Sequence, residues 1–580
     1  MNPDRSDDDR ARSTPRVPVR VVAGWLALVA ILSLWVFRPV LANGFVEWDD
    51  HIYLGELARM GRFSWSSLRW MWTSLEPFYL QPIAWMTHLA DYQIWGLNPV
   101  GHHATNWILH GVYVALVGTL VWLLTGKVPD TQPRERLAMS VLIALVCGIH
   151  PLQVEMVAWV AARNGLLCSV WMVAALCAYV RSVEDDGGLN PGWHLARGWW
   201  WTVLVLDAAA LLTKPVAVSL PVVMLAVDYF PLRRYQTRGA WRLVAEKWAV
   251  IALSAAASVG AIGARQQQQL EGLSEITLTT RMLVAIRGAV FYMWKLVWPA
   301  WLSPFYPLSD RVSLRSEEFL VPVVFCVAVT IVAVWGWKRT PVLLAAWAAY
   351  LALLLPVCGL VQVGGQAVAD RYAYLAMVPV LLALGSQMLW KWRRSSAPLK
   401  VVFCVALGAW LVFLGVQTRG QIAVWHDDIS LWNAALEHFP DDPHSNYDLG
   451  VALLGAHRLP EARVVVERAV AHSDPHAVQL PLARGALGLI DLKMHDYDQA
   501  IGQLQQAVAG DGGLWAARYN LACAYARTGR LADAYDVLQA LLAKQPQYAS
   551  LAARDSELTA LRNDPEYGAR FAALIGAAKH

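Results

Sequence analysis

Apolar runs recur along the first ~420 residues and then stop, each long enough to approach or cross a bilayer. They lie at about 21–41, 104–125, 137–155, 165–181, 198–213, 215–231, 244–263, 319–337, 341–358, 373–390 and 400–417. The pattern predicts an all-α polytopic bundle of about eleven spans. The stretch 283–301 is apolar but interrupted by Arg287, Lys295 and Pro299. If it does not cross, the loops on one side carry Lys127, Arg134 and Arg136; Arg181 and Arg197; Arg233, Arg234, Arg238, Arg242 and Lys247; Lys338 and Arg339; and Lys391, Arg393, Arg394 and Lys400. Cytoplasmic loops concentrate Lys and Arg in this way, so 283–301 reads as an interfacial or re-entrant helix. The N-terminus is then inside, and the outer loops are 42–103, 150–164, 264–318 and 359–372.

Beyond Gln417 the pattern becomes helix pairs with an internal repeat. Asn446-Tyr447-Asp448-Leu449-Gly450 is echoed by Ala486-Leu487-Gly488 and by Asn520-Leu521-Ala522. Leu487 to Leu521 is 34 residues, the tetratricopeptide period, and Leu449 to Leu487 is 38. The second helices keep phase at Glu461-Ala462, Gln499-Ala500 and Asp533-Ala534. This predicts about three tetratricopeptide repeats in an α-solenoid, with flanking helices at 425–438 and near 565–577. Such a solenoid presents a concave surface that suits a peptide or protein. The expected organisation is a cytoplasmic leader at 1–20, a membrane domain at 21–420 and an extracytoplasmic repeat domain at 421–580.

Composition agrees with this division. Hydrophobic residues make up 57% of the chain and charged residues 16%, against about 25% charged in soluble domains. A net charge of +4 supplies no basic field for nucleic acid. The seven cysteines, at 147, 168, 177, 326, 358, 404 and 523, have no metal-ligand spacing and read as buried small hydrophobes. The apolar run after the Arg-bearing leader has no small-residue cleavage site, so it reads as a retained span. No Walker loop or dinucleotide fingerprint is present, which argues against nucleotide chemistry on the inner side.

The candidate chemistry gathers in the outer loops. Asp49 and Asp50 follow the first span; a carboxylate there can take a proton from an acceptor hydroxyl, or can simply be a solvated acidic turn. His102, Asn106 and His110 are four apart and share a helix face, with hydrogen bonding and substrate contact both open as roles. Arg163, Lys214 and Arg371 lie at the outer rim, opposite the side that positive-inside statistics favour, and Arg287 and Lys295 can join them. Together they suit a phosphate; singly each reads as a snorkelling anchor or as the partner of Glu155 or Asp370. Asp207 lies within a span with no evident partner, and Asp228 is expected to pair with the nearby arginines.

The ordered motif set resembles the transmembrane and tetratricopeptide-repeat-containing O-mannosyltransferases and their bacterial relatives, in the C-type glycosyltransferase superfamily. The matching residues are Phe45-Val46 with Asp49-Asp50; Asn98-Pro99 with His102 or His103, Asn106 and His110; His150-Pro151 with Glu155, Arg163 and Asn164; Leu212-Thr213-Lys214; Leu296-Val297-Trp298-Pro299; Asp370-Arg371-Tyr372-Ala373-Tyr374; and Trp432 through Gly450. Arg163-Asn164-Gly165 departs from the Arg-Ala-Asp or Arg-Thr-Asp pattern common in the family, and the repeats number about three where eukaryotic members have many.

The resemblance implies a polyprenyl-phosphate-linked sugar as donor, bound from the outer side, and inversion at the anomeric carbon with an acid of the first outer loop as base. Asp49 or Asp50 is then the base, with the choice leaning to Asp50. Arg163, Lys214, Arg371 and Arg287 are the phosphate set, and His102, His103, Asn106, His150, Glu155, Asp370 and Tyr372 line the substrate pocket. No metal or other cofactor is required on this reading; a divalent ion on Asp49, Asp50 and His102 is the alternative. The implied partners are the lipid-linked sugar, membrane lipid and an acceptor protein recruited by the repeats, with no nucleic acid. The short repeat array points to a bacterial inner membrane with periplasmic repeats. Two competing readings stay open: a non-enzymatic membrane scaffold that displays the repeats, and a lipid-linked oligosaccharide ligase.

Overall fold

The computed structural model describes residues 17–77, 79–184, 198–267, 277–309, 312–360 and 365–578. Most of the leader (1–16), Arg197, and parts of the expected outer loops (268–276, 310–311 and 361–364) lie outside those residues. The chain divides into two compact units, Met1–Asp427 and Asp428–His580.

The first unit begins with α1 (Val19–Phe37), then α2 (Asp50–Met60), α3 (Trp65–Thr73) and α4 (Pro82–Trp95). Next come α5 (Pro99–Thr125), α6 (Pro133–Ile149), α7 (Val154–Ala158), α8 (Arg163–Glu184), α9 (Gly198–Leu211) and α10 (Leu220–Tyr229). The unit continues through α11 (Tyr235–Arg238), α12 (Ala240–Glu246), α13 (Trp248–Gln267) and α14 (Leu278–Val297). It ends with α15 (Glu317–Trp335), α16 (Pro341–Leu354), α17 (Ala373–Arg394) and α18 (Ala397–Val424).

Each expected apolar run is helical, but fewer cross by length and composition than the eleven expected. Six helical stretches among the described residues qualify: Val19–Ala42, Pro99–Thr125, Val160–Glu184, Glu317–Trp335, Asp370–Arg394 and Ala397–Val424. Two pairs bent by 60° and 64°, Pro133–Ile149 with Pro151–Ala158 and Ala240–Glu246 with Trp248–Ala264, raise the number to eight. The runs at 198–213, 215–231 and 341–358 form shorter apolar helices. The 14-residue helix α16 rises about 21 Å, short of the roughly 30 Å of bilayer hydrocarbon. The cationic helix α14 is continuous and is not among the qualifying helices.

Close approach holds α1 against α6: a Cβ added to Gly148 would lie 2.0 Å from Ser33 Oγ. By contrast, α15 and α18 leave Val321, Val324, Val401, Val405 and Val412 exposed, as helices facing lipid do. Cys404 on α18 is exposed as well, which corrects its reading as a buried residue; Cys147, Cys168 and Cys523 are buried. Asp228 pairs with Arg234 (3.0 Å) and Lys247 and accepts from Tyr179 Oη at 2.6 Å. Asp207 is fully buried, with no hydrogen-bond partner among the described residues. The helical pattern did not foretell a small antiparallel pair, β1 (Tyr306–Pro307) with β2 (Gln366–Val368), which ties two of the long loops together.

The second unit is all helical: α19 (Asp428–His438), α20 (Pro443–Gly455), α21 (Leu459–His472), α22 (Gln479–Lys493), α23 (Tyr497–Gly510), α24 (Trp515–Arg527) and α25 (Leu531–Lys544), then α26 (Ala549–Ala552), α27 (Thr559–Asn563) and α28 (Tyr567–Ala577). The repeated small position explains the pairing of its helices. A Cβ at Gly450 would stand 2.1 Å from Val466 Cγ2, and one at Gly488 would stand 2.5 Å from Leu504 Cγ. The two helices of each repeat therefore touch where the sequence echo falls.

Candidate active site

The segment between α1 and α2 is pinned on several sides before it delivers its carboxylates. Asn43 Nδ2 donates to the Ile422 carbonyl at 3.2 Å and Gly44 N–H to the His426 carbonyl at 2.9 Å, both near the end of α18. His103 on α5 hydrogen-bonds the Gly44 carbonyl at 3.0 Å. Trp48 stacks on Trp159 and Trp425, with ring centres 5.0 and 6.3 Å apart. Burial of these rings supplies a rigid base for the turn that follows.

The two aspartates in that turn have different surroundings. Asp50 is 1% exposed; its Oδ1 accepts the Ala161 N–H at 2.8 Å and its Oδ2 the Val46 N–H at 3.1 Å. Asp49, one residue earlier, is half-buried and caps no helix with its side chain. Burial raises its pKa above the ordinary 3.8, while Arg371, His51 and Lys214 pull it down. Its carboxylate thus stands in the field of two site cations yet makes no side-chain hydrogen bond with the described residues.

Those cations line one pocket. Lys214, in the break between α9 and α10, extends Nζ to 3.3 Å from Asn164 Oδ1. Burial lowers its pKa to about 8, and neighbouring Arg371 adds to the shift. Arg371, beside β2, is fixed by Glu155, which pairs with its guanidinium and accepts its backbone N–H at 2.7 Å. The guanidinium also lies over the rings of Trp159 (5.2 Å) and Tyr372 (4.9 Å). Lys214, Arg371, Tyr372, Tyr374, Met156 and Gly165 are among the walls of a cavity of about 420 Å³. A second cavity of about 780 Å³, almost wholly apolar, runs among α5, α8, α10, α16 and α17. Leu353 and Leu375 are walls of both, so the cationic pocket and the apolar groove are neighbours that share a wall.

Several expected site residues are placed elsewhere. Arg163 is 0% exposed and pairs with Asp91 at 2.5 Å; it also donates to Asn106 Oδ1 at 2.7 Å and to the His102 carbonyl at 2.8 Å. A guanidinium so enclosed is spent on joining α4, α5 and α8 and does not reach a phosphate. Arg287 pairs with Glu318 at 2.9 Å at the start of α15, and no interaction among the described residues joins it to Lys214 or Arg371. His102 hydrogen-bonds the Gly96 carbonyl at 3.0 Å, His103 that of Gly44, and His150 that of Leu296 at 3.1 Å. Asn106 donates to Val157 and Trp159 carbonyls at 3.3 and 3.2 Å. These four side chains brace the pocket from behind and do not line it. Asp370 accepts from Tyr306 Oη at 3.0 Å, fixing β1 to the start of α17. Tyr372 does line the pocket, and Glu155 acts on it through Arg371. Among the described residues no three of His, Cys, Asp and Glu gather, so Asp49, Asp50 and His102 are not brought together as one ion-binding set.

Asp91, Tyr53, Tyr79 and Gln81 were missed as parts of this layer. Tyr53 lies four residues beyond Asp49, so helical spacing alone puts it on the same side of α2. Asp91 lies in α4, which no motif singled out, and only its contact with Arg163 reveals it.

The fold and the pocket define a class: a polytopic helical membrane protein with a cationic pocket beside an apolar groove, carrying a C-terminal tetratricopeptide-repeat domain. Residues 429–478 and 491–554 each match a tetratricopeptide-repeat family. The chain is similar to protein O-mannosyl-transferase TMTC4 of Mus musculus, 29% identical over 139 residues, which is 23% of this chain and 19% of that protein. It is also similar to protein O-mannosyl-transferase TMTC3 of Mus musculus, 24% identical over 214 residues (36% and 20%), and to TMTC1 of Homo sapiens, 26% over 160 residues (27% and 17%). The matched stretches span about a fifth of the length of these relatives. No solved structure matches the chain. Over part of its length the chain is therefore similar to transmembrane and tetratricopeptide-repeat-containing O-mannosyltransferases, the family its motif series resembles.

Proposed function

We propose that the chain is an inverting, integral-membrane glycosyltransferase that moves a sugar from a polyprenyl-phosphate donor to an acceptor hydroxyl on the extracytoplasmic side. The observation that carries the reading is the adjacency of the Lys214–Arg371 pocket and the apolar groove across Leu353 and Leu375, with the Asp49 carboxylate in the electrostatic field of both cations. A polyprenyl phosphate has this bipolar shape: an anionic head on a long apolar chain. The charge also suits a monophosphate. Lys214 has no carboxylate within 4 Å among the described residues, while Arg371 is offset by Glu155, so the pair leaves about one positive charge for a phosphodiester.

In the transfer, Asp49 takes the proton of the acceptor hydroxyl as its oxygen attacks the anomeric carbon from the face opposite the phosphate. The bond from that carbon to the phosphate oxygen breaks with its electron pair, and Lys214 and Arg371 stabilise the departing polyprenyl phosphate. Asp50 holds the turn that presents Asp49. The relatives' names describe protein O-mannosylation, so mannose and a protein hydroxyl are the first donor sugar and acceptor to test. The repeat domain recruits the acceptor. The basic loops favour a cytoplasmic N-terminus. The repeats then lie outside, in the periplasm of a bacterial inner membrane, with the three shorter apolar helices also crossing and bringing the eight candidate spans to an odd eleven.

The test is mass spectrometry of exported proteins from cells with and without the chain, joined to an assay of the purified full chain with polyprenyl-phosphate mannose. Loss of a hexose from Ser or Thr supports the reading. Identical glycosylation in both strains, with no transfer in vitro, overturns it.

A further inference from the structure

The two cations of the pocket are held in different ways. Arg371 is held by a carboxylate, Glu155; Lys214 is held by an amide, Asn164. Asn164 is 8% exposed and sits in the first turn of α8. Its Nδ2 faces three oxygens: Tyr79 Oη at 3.1 Å, Gln81 Oε1 at 3.2 Å and Tyr53 Oη at 3.4 Å. Its Oδ1 faces the Lys214 ammonium at 3.3 Å. Flipping the amide would set an NH₂ against an NH₃⁺, so the network fixes its orientation. The next residue leaves the opposite side of the ammonium open. Gly165 lines the pocket, and a Cβ there would stand 3.2 Å from Lys214 Nζ and 2.7 Å from Met156 Sδ. Tyr53 belongs to α2, the helix that Asp49 precedes, so one amide ties the base-bearing helix to the cation.

We infer that Asn164 is a positioning residue for the donor: it aims the Lys214 ammonium into the pocket through a neutral bond that leaves the charge uncompensated for the donor phosphate. This rests on the donor reading above. A carboxylate in the same place would keep the geometry and cancel the charge. Asn164→Asp is close to isosteric, and both tyrosine hydroxyls and a flipped Gln81 amide can donate to it.

The experiment measures binding of undecaprenyl phosphate, with the phosphate-free undecaprenol as control, to the purified full chain and its variants. The wild-type chain is expected to prefer the phosphate. Asn164→Asp should weaken phosphate binding at least tenfold and leave undecaprenol binding unchanged. In a Lys214→Met background, Asn164→Asp should add no more than a twofold change. Unchanged phosphate binding in Asn164→Asp overturns the inference alone. Equal weakening of phosphate and alcohol, or a full effect in the absence of Lys214, reduces Asn164 to a packing role and overturns it too. A wild-type chain that does not distinguish phosphate from alcohol overturns the donor reading, and this inference with it.

Discussion

Replacing each of the adjacent aspartates by asparagine should produce two different failures. Asp50 accepts two backbone N–H groups, at 2.8 and 3.1 Å, while 1% exposed. Hydrogen bonds to a charged group contribute about 1.5–3 kcal/mol each, and a buried donor left unpaired costs about 1–3 kcal/mol. In Asp50→Asn one of the two N–H groups must face an NH₂, whichever way the amide turns. The expected loss is about 2–4 kcal/mol, a large part of a typical stability of roughly 5–15 kcal/mol. Asp49→Asn breaks no side-chain hydrogen bond with the described residues and relieves the burial of a charge, so stability should hold or rise slightly. Its cost is chemical: removal of a general base lowers rate by about 10²–10⁴-fold. The assay pairs thermal inactivation half-lives of the full chain with initial transfer rates, because unfolding of such a protein is read as a rate. Asp50→Asn should inactivate sooner, with transfer that follows the folded fraction. Asp49→Asn should survive heat like the wild type and transfer almost nothing. A stable but inactive Asp50→Asn beside an active Asp49→Asn would refute the reasoning and return the base to Asp50.

Transfer should follow a bell in pH. Asp49 must be ionised, so the rate rises with pH through a pKa that burial has lifted above 3.8; Lys214 must be protonated, so the rate falls as pH passes about 8. A kcat/KM profile that stays flat from pH 7 to 9.5 would remove Lys214 from the donor site. At the buried pair, Asp91→Asn should destabilise by about 3–5 kcal/mol by stranding the Arg163 guanidinium, and Asp91→Leu with Arg163→Met should recover much of that. Thermal half-lives check it, and a double variant as fragile as the single would show that the ion pair is not the cause. Ala349→Trp, which fills the apolar groove, should raise KM for a long-chain polyprenyl donor and leave a short-chain donor unaffected; equal effects on both would place the lipid chain elsewhere.

What could be read from the chain, and what could not, divides along a physical line. Apolar runs and a 34-residue echo record local periodicity, so the helices and the repeats are legible, down to the small position where Gly450 and Gly488 admit their neighbours. Length along a helix axis is less legible: bends of 60° and 64° and the short helices at 215–229 and 341–357 leave six to eight helices among the described residues that qualify by length and composition. The two-residue strands β1 and β2 carry no periodicity at all.

Least legible is which charges remain available, because that depends on partners far along the chain. Arg163 and Arg371 are alike in place, each at a helix start near the outer rim. Asp91 encloses the first between helices, while Glu155 clamps the second and leaves its guanidinium side chain 10% exposed at a pocket wall. Asp49 and Asp50 are separated by the same logic: a single step of helix register turns one toward two backbone N–H groups and leaves the other without a bond. A charge can be used on a substrate only if the fold has not already used it on itself. By that criterion the site contracts from a rim of outer-loop cations and acids to Asp49, Lys214 and Arg371, with Asn164, Asp50 and Glu155 holding them in place.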